Sequence, residues 1–402
     1  MNLEKDMGTD YDVVIVGTGM VGLTLACCLK DQDLRIALIN KDLLNKKKLT
    51  QASRQRVIAV TLGSQRLLEQ LNVWQRLDKK HYAPFRRMQV WESGQSSQLF
   101  FDSADMGLAT LGYIVKNYDL GHALCAQAKT DSELTWLIPD TLMALQQEEN
   151  HVVITLASGK EIRTRLLVGA DGAQSKVRQL ADFYIKSTDY QQRALIATVQ
   201  TEWAHDQTAR QIFLAEGPLA FLPLTDAHYC SIVWSSTPEE IERLAALDDV
   251  FFCEELTHAF EHCLGEVIST SARFSYPLKT QETEQYIKSN IALIGDAAHI
   301  IHPLAGQGAN LGIADAKRLA KVILEAKQRH RNIGAWYTLR RYERERRFHN
   351  RVMLGSVDGI KHLFAATHPM LQKTRQWGLN VINKTNCLKN FISRYAIGDF
   401  KV

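Results

Sequence analysis

The sequence has 402 residues, 46 % hydrophobic and 23 % charged, with 48 Lys and Arg against 44 Asp and Glu for a net charge of +4. That is ordinary globular composition, long enough for roughly two or three domains and a core that needs no disulfide or metal staples, and the small basic excess argues against a dedicated nucleic-acid binder. The seven cysteines form no C-x-x-C pair and are irregularly spaced, which argues against a disulfide scaffold or a zinc ribbon and for a reducing compartment.

Residues 1–10 carry no apolar segment, so no secretory signal is read there, and no apolar run is long enough for a membrane helix. Tyr11–Val16 (YDVVIV) is a β-branched apolar run that stops at Gly17 and predicts a buried parallel strand. Residues 20–30 read as a helix and 35–40 (RIALIN) as a second strand, which makes a βαβ unit. Residues 45–53, with Lys46, Lys47 and Lys48, read as a solvated loop. Residues 62–77 place Leu67, Leu68, Leu71 and Trp74 on one side of a helix. Residues 166–169 (LLVG) are another buried strand. Between Ala194 and Trp234 the runs ALIATVQ, QIFL, LAFLPL and YCSIVW alternate with turn residues, the pattern of an antiparallel sheet. Thr237-Pro238-Glu239-Glu240 combines an N-cap, a proline at the first helical position and a capping-box glutamate, so a helix starts there. Residues 291–294 (IALI) form a further strand, a helix runs over 310–328, and 333–396 read as helices.

Strand ends of the nucleotide-binding kind thus fall near residues 11, 166 and 291, with a sheet-rich segment between the last two. This predicts an α/β protein whose nucleotide domain is assembled from separated pieces around an inserted substrate domain. After the first strand, Gly17-Thr18-Gly19-Met20-Val21-Gly22 fits G-x-G-x-x-G. Gly17 permits the tight turn, Gly19 lets backbone approach a pyrophosphate, and Gly22 lets helix and strand pack closely. The helix start at Met20 and Val21 offers free N–H groups to the phosphates. An acidic residue is usual at the end of the second strand, where it holds a ribose hydroxyl; here the position is Asn40, which can accept a hydrogen bond without charge assistance. Asp171-Gly172, with Ser175 and Arg178 on the following turn, and Gly295-Asp296 are two further signals at strand ends. Residues 302–312 then form a glycine-rich loop entering a helix, whose N–H groups can meet a ring oxygen or an anion. His299 and His302 are three apart, but Pro303 and the glycines break any helix and no matching ligand follows, so no metal site is expected.

In this order the three signals resemble those of the flavoprotein aromatic hydroxylases of the para-hydroxybenzoate hydroxylase fold. Residues 302–315 (HPLAGQGANLGIAD) resemble, position by position, the signature of the ubiquinone-biosynthesis hydroxylases. Supporting matches are RVIAV at Arg56, LGYIV at Leu111, LAFLPL at Leu219, SIVWS at Ser231 and LRRYERERR at Leu339. Residues 189–235 look most like the member that hydroxylates 2-polyprenylphenol. Two departures stand out: Asn40 where the family usually has Glu, and IVKN with Lys116 where it has IVEN.

The resemblance implies a Rossmann-type FAD-binding domain (1–80, 105–185 and 280–330), an inserted, mainly antiparallel substrate domain (81–104 and 186–279), and a C-terminal helical region (331–402). It implies that Gly17, Gly19 and Gly22 hold the FAD pyrophosphate and that Arg56 lies near the phosphates and the nicotinamide. Asp171 and Gly172 would serve both FAD and the transient NAD(P)H, and Asp296, after Gly295, a ribityl hydroxyl. Pro303, Gly306, Gln307, Gly308, Ala309 and Asn310 would border the isoalloxazine, and His299, His302 and Pro303 are the catalytic candidates, the two histidines as the nearest acid–base groups or, alternatively, as hydrogen-bonding supports of the loop. The implied reaction is hydroxylation of a prenylated phenol by O₂ and NAD(P)H through a flavin hydroperoxide, in a cytoplasmic protein that touches the inner membrane face, other ubiquinone-biosynthesis proteins or a second copy of itself. The dinucleotide motifs alone also suit a flavin reductase, a halogenase, or a non-catalytic protein that keeps FAD for structure.

Overall fold

The computed structural model describes residues 8–42, 50–94, 98–300 and 308–365. Five short strands form the parallel centre of the first sheet, in the order Ile291–Leu293, Glu161–Gly169, Tyr11–Val16, Ile36–Ile39 and Thr135–Leu137. Val13, Val14, Ile15, Leu166, Leu167, Val168 and Ile291 are wholly buried, which is why these strands read as continuous apolar runs rather than alternating ones. Val16 is in register with both Gly169 and Ile39, and Gly169 with Leu293. All four strands therefore end at one level. The chain leaves them at Gly17, Ala170, Asn40 and Ile294, so the expected motifs converge on the crevice at the carboxyl ends of the sheet.

The second sheet has nine strands and is antiparallel except where Thr208–Leu214 runs parallel to Arg87–Glu92. Its spine is the seventeen-residue strand Ile185–Thr201, paired with Phe274–Thr283 and Tyr229–Ser236. Helices Pro238–Ala246 and Asp249–Ala259 cover one face and close a separate core in which Phe221 stacks on Phe260 at 3.7 Å between centroids. Thr237 caps the first of them, its Oγ1 accepting from Glu240 N–H. Two cores with no shared residue account for the two composition patterns in the sequence.

A small third sheet joins the two: Val57–Thr61, Gly112–Lys116 and Tyr82–Phe85, all antiparallel. Tyr82–Phe85 was assigned with the substrate sheet but pairs here with the strand before the Asn117–Ala128 helix. Arg87–Glu92 and Gln98–Asp102 do join the large sheet.

Three local expectations need correction. Within residues 45–53 the described part is not all loop, because Thr50 caps a short helix, Gln51–Gln55, by accepting from Ser53 N–H; residues 45–49 lie outside the described residues. The helix expected over 62–77 ends at Gln70. Asn72 takes a left-handed conformation (φ 56°), Val73 N–H bonds back to Leu68 O, and only a turn of 3₁₀ helix resumes at Trp74. The helix Trp336–Ala365 is no separate region at its start, since Leu339 and Tyr342 are buried in the core of the parallel sheet.

Candidate active site

Gly17 has φ 107°, and a Cβ there would lie 2.3 Å from the carbonyl oxygen of Ala170. A Cβ on Gly22 would lie 2.1 Å from the carbonyl oxygen of Gly17. These two glycines bring the first loop against the Asp171 loop and the helix against its own turn. Gly19 differs: its φ is −71°, and a Cβ would meet nothing within 4 Å. It faces the open crevice. The helix Met20–Leu29 that follows has no side-chain cap, and its first intrahelical bond is Leu23 N–H to Gly19 O at 3.0 Å. The N–H groups of Met20, Val21 and Gly22 are thus presented to the crevice, where an anion meets both donors and the positive end of the helix dipole.

The other two loops interlock with this one. Val21 packs against the Gly295 turn and against Gly312, where a Cβ would come 2.5 Å from Val21 Cγ2. Arg178 is buried and donates to Ala173 O (2.6 Å) and Ala297 O (3.1 Å), which ties the Asp171 loop to the Asp296 loop. Asp171 Oδ2 accepts from Lys176 N–H (2.6 Å) and Val177 N–H (3.2 Å), while its Oδ1 is buried with no protein partner. Gly172 (φ 79°) leaves open space beside it. The Asp296 carboxylate opens to solvent, yet crowding around it raises its pKa by desolvation, against the downward pull of His299 and Arg56. Arg56 also stands 5.9 Å over the Tyr276 ring from the large sheet, so it sits between the two domains.

Asn40 ends its strand beside the glycine loop. Its Nδ2 donates to Thr18 Oγ1 (2.7 Å) and Asp42 O (2.6 Å), and no described residue donates to its Oδ1. The amide is pinned by its nitrogen and keeps an acceptor where a ribose hydroxyl is expected.

A family model described as an FAD binding domain matches residues 10–355. The chain is 33 % identical to the 3-demethoxyubiquinol 3-hydroxylase of Escherichia coli over 387 residues, covering 96 % of this chain and 98 % of the relative. It is 34 % identical to the ubiquinone hydroxylase UbiL of Rhodospirillum rubrum (97 % and 90 % covered) and 32 % identical to the human ubiquinone biosynthesis monooxygenase COQ6 (96 % and 92 %). The chain belongs to the FAD-dependent ubiquinone-biosynthesis hydroxylases. Among solved structures it is similar in fold to p-nitrophenol 4-monooxygenase PnpA of Pseudomonas putida (TM-score 0.76, 15 % identity, 97 % of each chain) and to PqsL of Pseudomonas aeruginosa (0.75, 23 %, 92 % and 99 %).

This hydroxylase is a flavin-dependent monooxygenase whose cofactor is FAD, with NAD(P)H the reductant typical of its family. The crevice suits that cofactor on three independent counts: an uncapped helix start for the pyrophosphate, an open side at Gly19, and a buried orphan acceptor at Asp171 Oδ1.

His302, Pro303, Gly306 and Gln307 lie outside the described residues. His299 is 2 % exposed and its Nε2 is 2.6 Å from Asp315 Oδ2. Paired with this buried carboxylate, it holds the turn after Asp296. The Asn310 side chain is also occupied: it accepts from Thr61 N–H (3.0 Å) and donates to Ala59 O (2.7 Å), fastening the start of the helix Gly308–Gln328 to the small sheet. This leaves the backbone at Gly308, Ala309 and Asn310 as the part that can meet a ring.

Lys116, the second departure, is exposed at the end of its strand and lines a cavity of about 220 Å³ between the small sheet and the large one. Val57 from RVIAV, Ile114 from LGYIV and Leu224 from LAFLPL line the same cavity. These segments lie far apart in the chain and meet only in the fold. Two residues not expected from the sequence are Asp315 and Arg346, which are buried and paired (Nε to Oδ1, 2.7 Å). A signal was present: Leu339, Tyr342, Arg346 and Asn350 fall at helical spacing on one stripe, so Arg346 stands where an apolar residue is expected.

Proposed function

We propose that this hydroxylase acts on the aromatic ring of a polyprenylphenol in ubiquinone biosynthesis. The balanced reaction takes the phenol, O₂, NAD(P)H and a proton to the hydroxylated phenol, water and NAD(P)⁺. When bound, FAD supplies the two-electron chemistry with the nicotinamide and the activation of O₂. The chain's own work is placement. Gly19, Met20, Val21 and Gly22 bind the pyrophosphate through backbone N–H groups, across the turn that Gly17 makes with its own N–H donated to Ile39 O (2.8 Å), and Asn40 Oδ1 accepts from the adenosine ribose. Asp171 Oδ1 and Asp296 accept from cofactor hydroxyls, with Gly172 and Gly295 letting them approach. Arg56 holds the phosphates and receives the nicotinamide. The backbone from Gly308 to Asn310 borders the flavin ring, while His302, Pro303, Gly306 and Gln307 lie outside the described residues.

The observation that carries the reading is the cavity on which three family-like segments converge, walled by Val57, Ile114 and Leu224 at the seam of the two domains. Ala83, Lys80, His81, Lys116, Thr225, Asp226 and Tyr229 complete the lining, so polar groups for a phenol stand beside apolar walls for a tail, at roughly 0.8 kcal/mol per buried CH₂. The tail also calls for a membrane. Trp336, Tyr337 and Phe348 are exposed along the start of the last helix, interspersed with exposed Arg340, Arg344 and Arg351, the pattern of a helix that lies on an anionic bilayer surface. Among the described residues no helix is long and apolar enough to cross a membrane.

Residues 189–235 favour the prenylphenol. The name of the Escherichia coli relative favours a second substrate, 3-demethoxyubiquinol. Deletion of the gene in its source organism separates them. Accumulation of an under-hydroxylated prenylphenol, reversed by the wild-type chain but not by Asp296→Ala, supports the proposal. Accumulation of demethoxyubiquinol moves the function to the second substrate, and normal ubiquinone in a strain with no second hydroxylase refutes both.

A further inference from the structure

Behind the Gly295–Asp296 turn lies a buried polar cluster for which the proposed chemistry has no use. Asp315 (0 % exposed) stands on the helix Gly308–Gln328, and Arg346 (7 %) and Asn350 (0 %) on the helix Trp336–Ala365. One carboxylate oxygen of Asp315 accepts from Gly295 N–H (3.1 Å) and meets His299 Nε2 (2.6 Å). The other accepts from Arg346 Nε (2.7 Å) and lies 3.4 Å from Asn350 Nδ2. Arg346 Nη2 also donates to Asn350 Oδ1 (2.8 Å) and Leu311 O (3.3 Å). The same helix clamps the strand that leads into the turn, with Tyr342 OH donating to Leu293 O (2.8 Å).

A buried ion pair of this kind is a costly way to gain stability, because apolar residues of similar volume usually serve as well. Its geometry has a different use. Asp315 grips the residues on both sides of Asp296, the amide of Gly295 and the ring of His299, and Arg346 sets the orientation of that carboxylate. The geometry points to Asp315 and Arg346 as positioning residues for the flavin site: they fix the turn that aims Asp296 into the crevice, and so make the C-terminal helix part of cofactor binding. This rests on the reading of Asp296 as an FAD contact. Lysine at 346 keeps the charge but cannot reproduce a planar fork that reaches Asp315, Asn350 and Leu311 together.

The test compares Arg346→Lys, Arg346→Met, Asp315→Asn and Asp296→Asn as full-length chains. FAD affinity of the apoprotein is measured by fluorescence titration, fold by circular dichroism, and the midpoint potential of the bound flavin by dye equilibration. In variants that retain the fold, Arg346→Met is expected to weaken FAD binding at least tenfold. It also lowers the potential, because the Asp315 charge loses its nearest cation. Arg346→Lys restores the potential but recovers affinity only in part. If Arg346→Met does not fold, Arg346→Lys and Asp315→Asn carry the test, each with weakened affinity expected in a folded protein. Wild-type affinity in those variants alongside a loss in Asp296→Asn overturns the positioning role alone. Wild-type affinity in Asp296→Asn overturns the underlying contact and the positioning role with it.

Discussion

Gly19→Val isolates the phosphate-binding function of the glycine loop from its folding function. The Gly19 backbone (φ −71°, ψ 178°) is one that any L residue adopts, and a Cβ there meets nothing within 4 Å. The cost to the apoprotein should therefore stay within about 0.5 kcal/mol. The valine methyls would occupy the open side onto which the N–H groups of Met20, Val21 and Gly22 face. Hydrogen bonds to a charged acceptor are worth about 1.5–3 kcal/mol each, so losing two of them costs about 3–6 kcal/mol, or roughly a hundredfold to ten-thousandfold in FAD affinity. Gly22→Ala is the counterpart. Its Cβ would lie 2.1 Å from Gly17 O, so the helix must move, at a cost of about 1–3 kcal/mol or more to folding. The assay is a pair of measurements on each apoprotein, a thermal melt and an FAD titration. The reasoning fails if Gly19→Val binds FAD as tightly as wild type, or if it lowers the melting temperature as much as Gly22→Ala does.

Arg178→Ala removes donors to Ala173 O and Ala297 O and leaves both carbonyls short of a partner; a loss of about 3 kcal/mol in unfolding free energy is expected by denaturant titration. Asn40→Ala removes the anchor from Asn40 Nδ2 to Thr18 of the glycine loop and the acceptor toward the ribose, so FAD affinity should fall about tenfold in equilibrium titration, with Asn40→Gln recovering part of it. Burial alone would push Asp315 up, but His299 and Arg346 outweigh it and hold the carboxyl at about 2 against an ordinary 3.8. A depressed carboxyl stabilises the fold above its unfolded value, and the contribution is lost as pH falls from about 4 toward 2. The amount is about 2 kcal/mol, and Asp315→Asn should lack that part of the acid transition when unfolding free energy is followed against pH.

The parallel sheet was legible because each of its strands is buried on both faces and so appears as an unbroken apolar run, as at Tyr11–Val16 and Ile291–Leu293. The glycine loop was legible because steric demands at Gly17 and Gly22 are local. Other features depend on partners far along the chain. Asn310 looked like a flavin-loop residue, yet its side chain is bonded to Ala59 and Thr61, some 250 residues away. The pairing of His299 with Asp315, sixteen residues on, was not readable, because the loop and helix between them bring the two together only in the fold. The early end of the Leu62–Gln70 helix was readable in principle, since Asn72 is a residue that tolerates a left-handed C-terminal turn, but the apolar spacing through Trp74 masked it. Arg346 was hidden among the alternating charges of LRRYERERR, a composition that by itself suits a solvent-exposed helix face.

Ring hydroxylation of a prenylphenol is decided by the FAD-loaded protein with NAD(P)H, ¹⁸O₂ and a defined 2-polyprenylphenol. Products are analysed by mass spectrometry while NAD(P)H oxidation is followed. The phenol is expected to stimulate NAD(P)H oxidation and to gain a single ¹⁸O atom on its ring. NAD(P)H oxidation that the phenol does not stimulate, with all oxygen recovered as H₂O₂ and the ring unlabelled, rules ring hydroxylation of this substrate out.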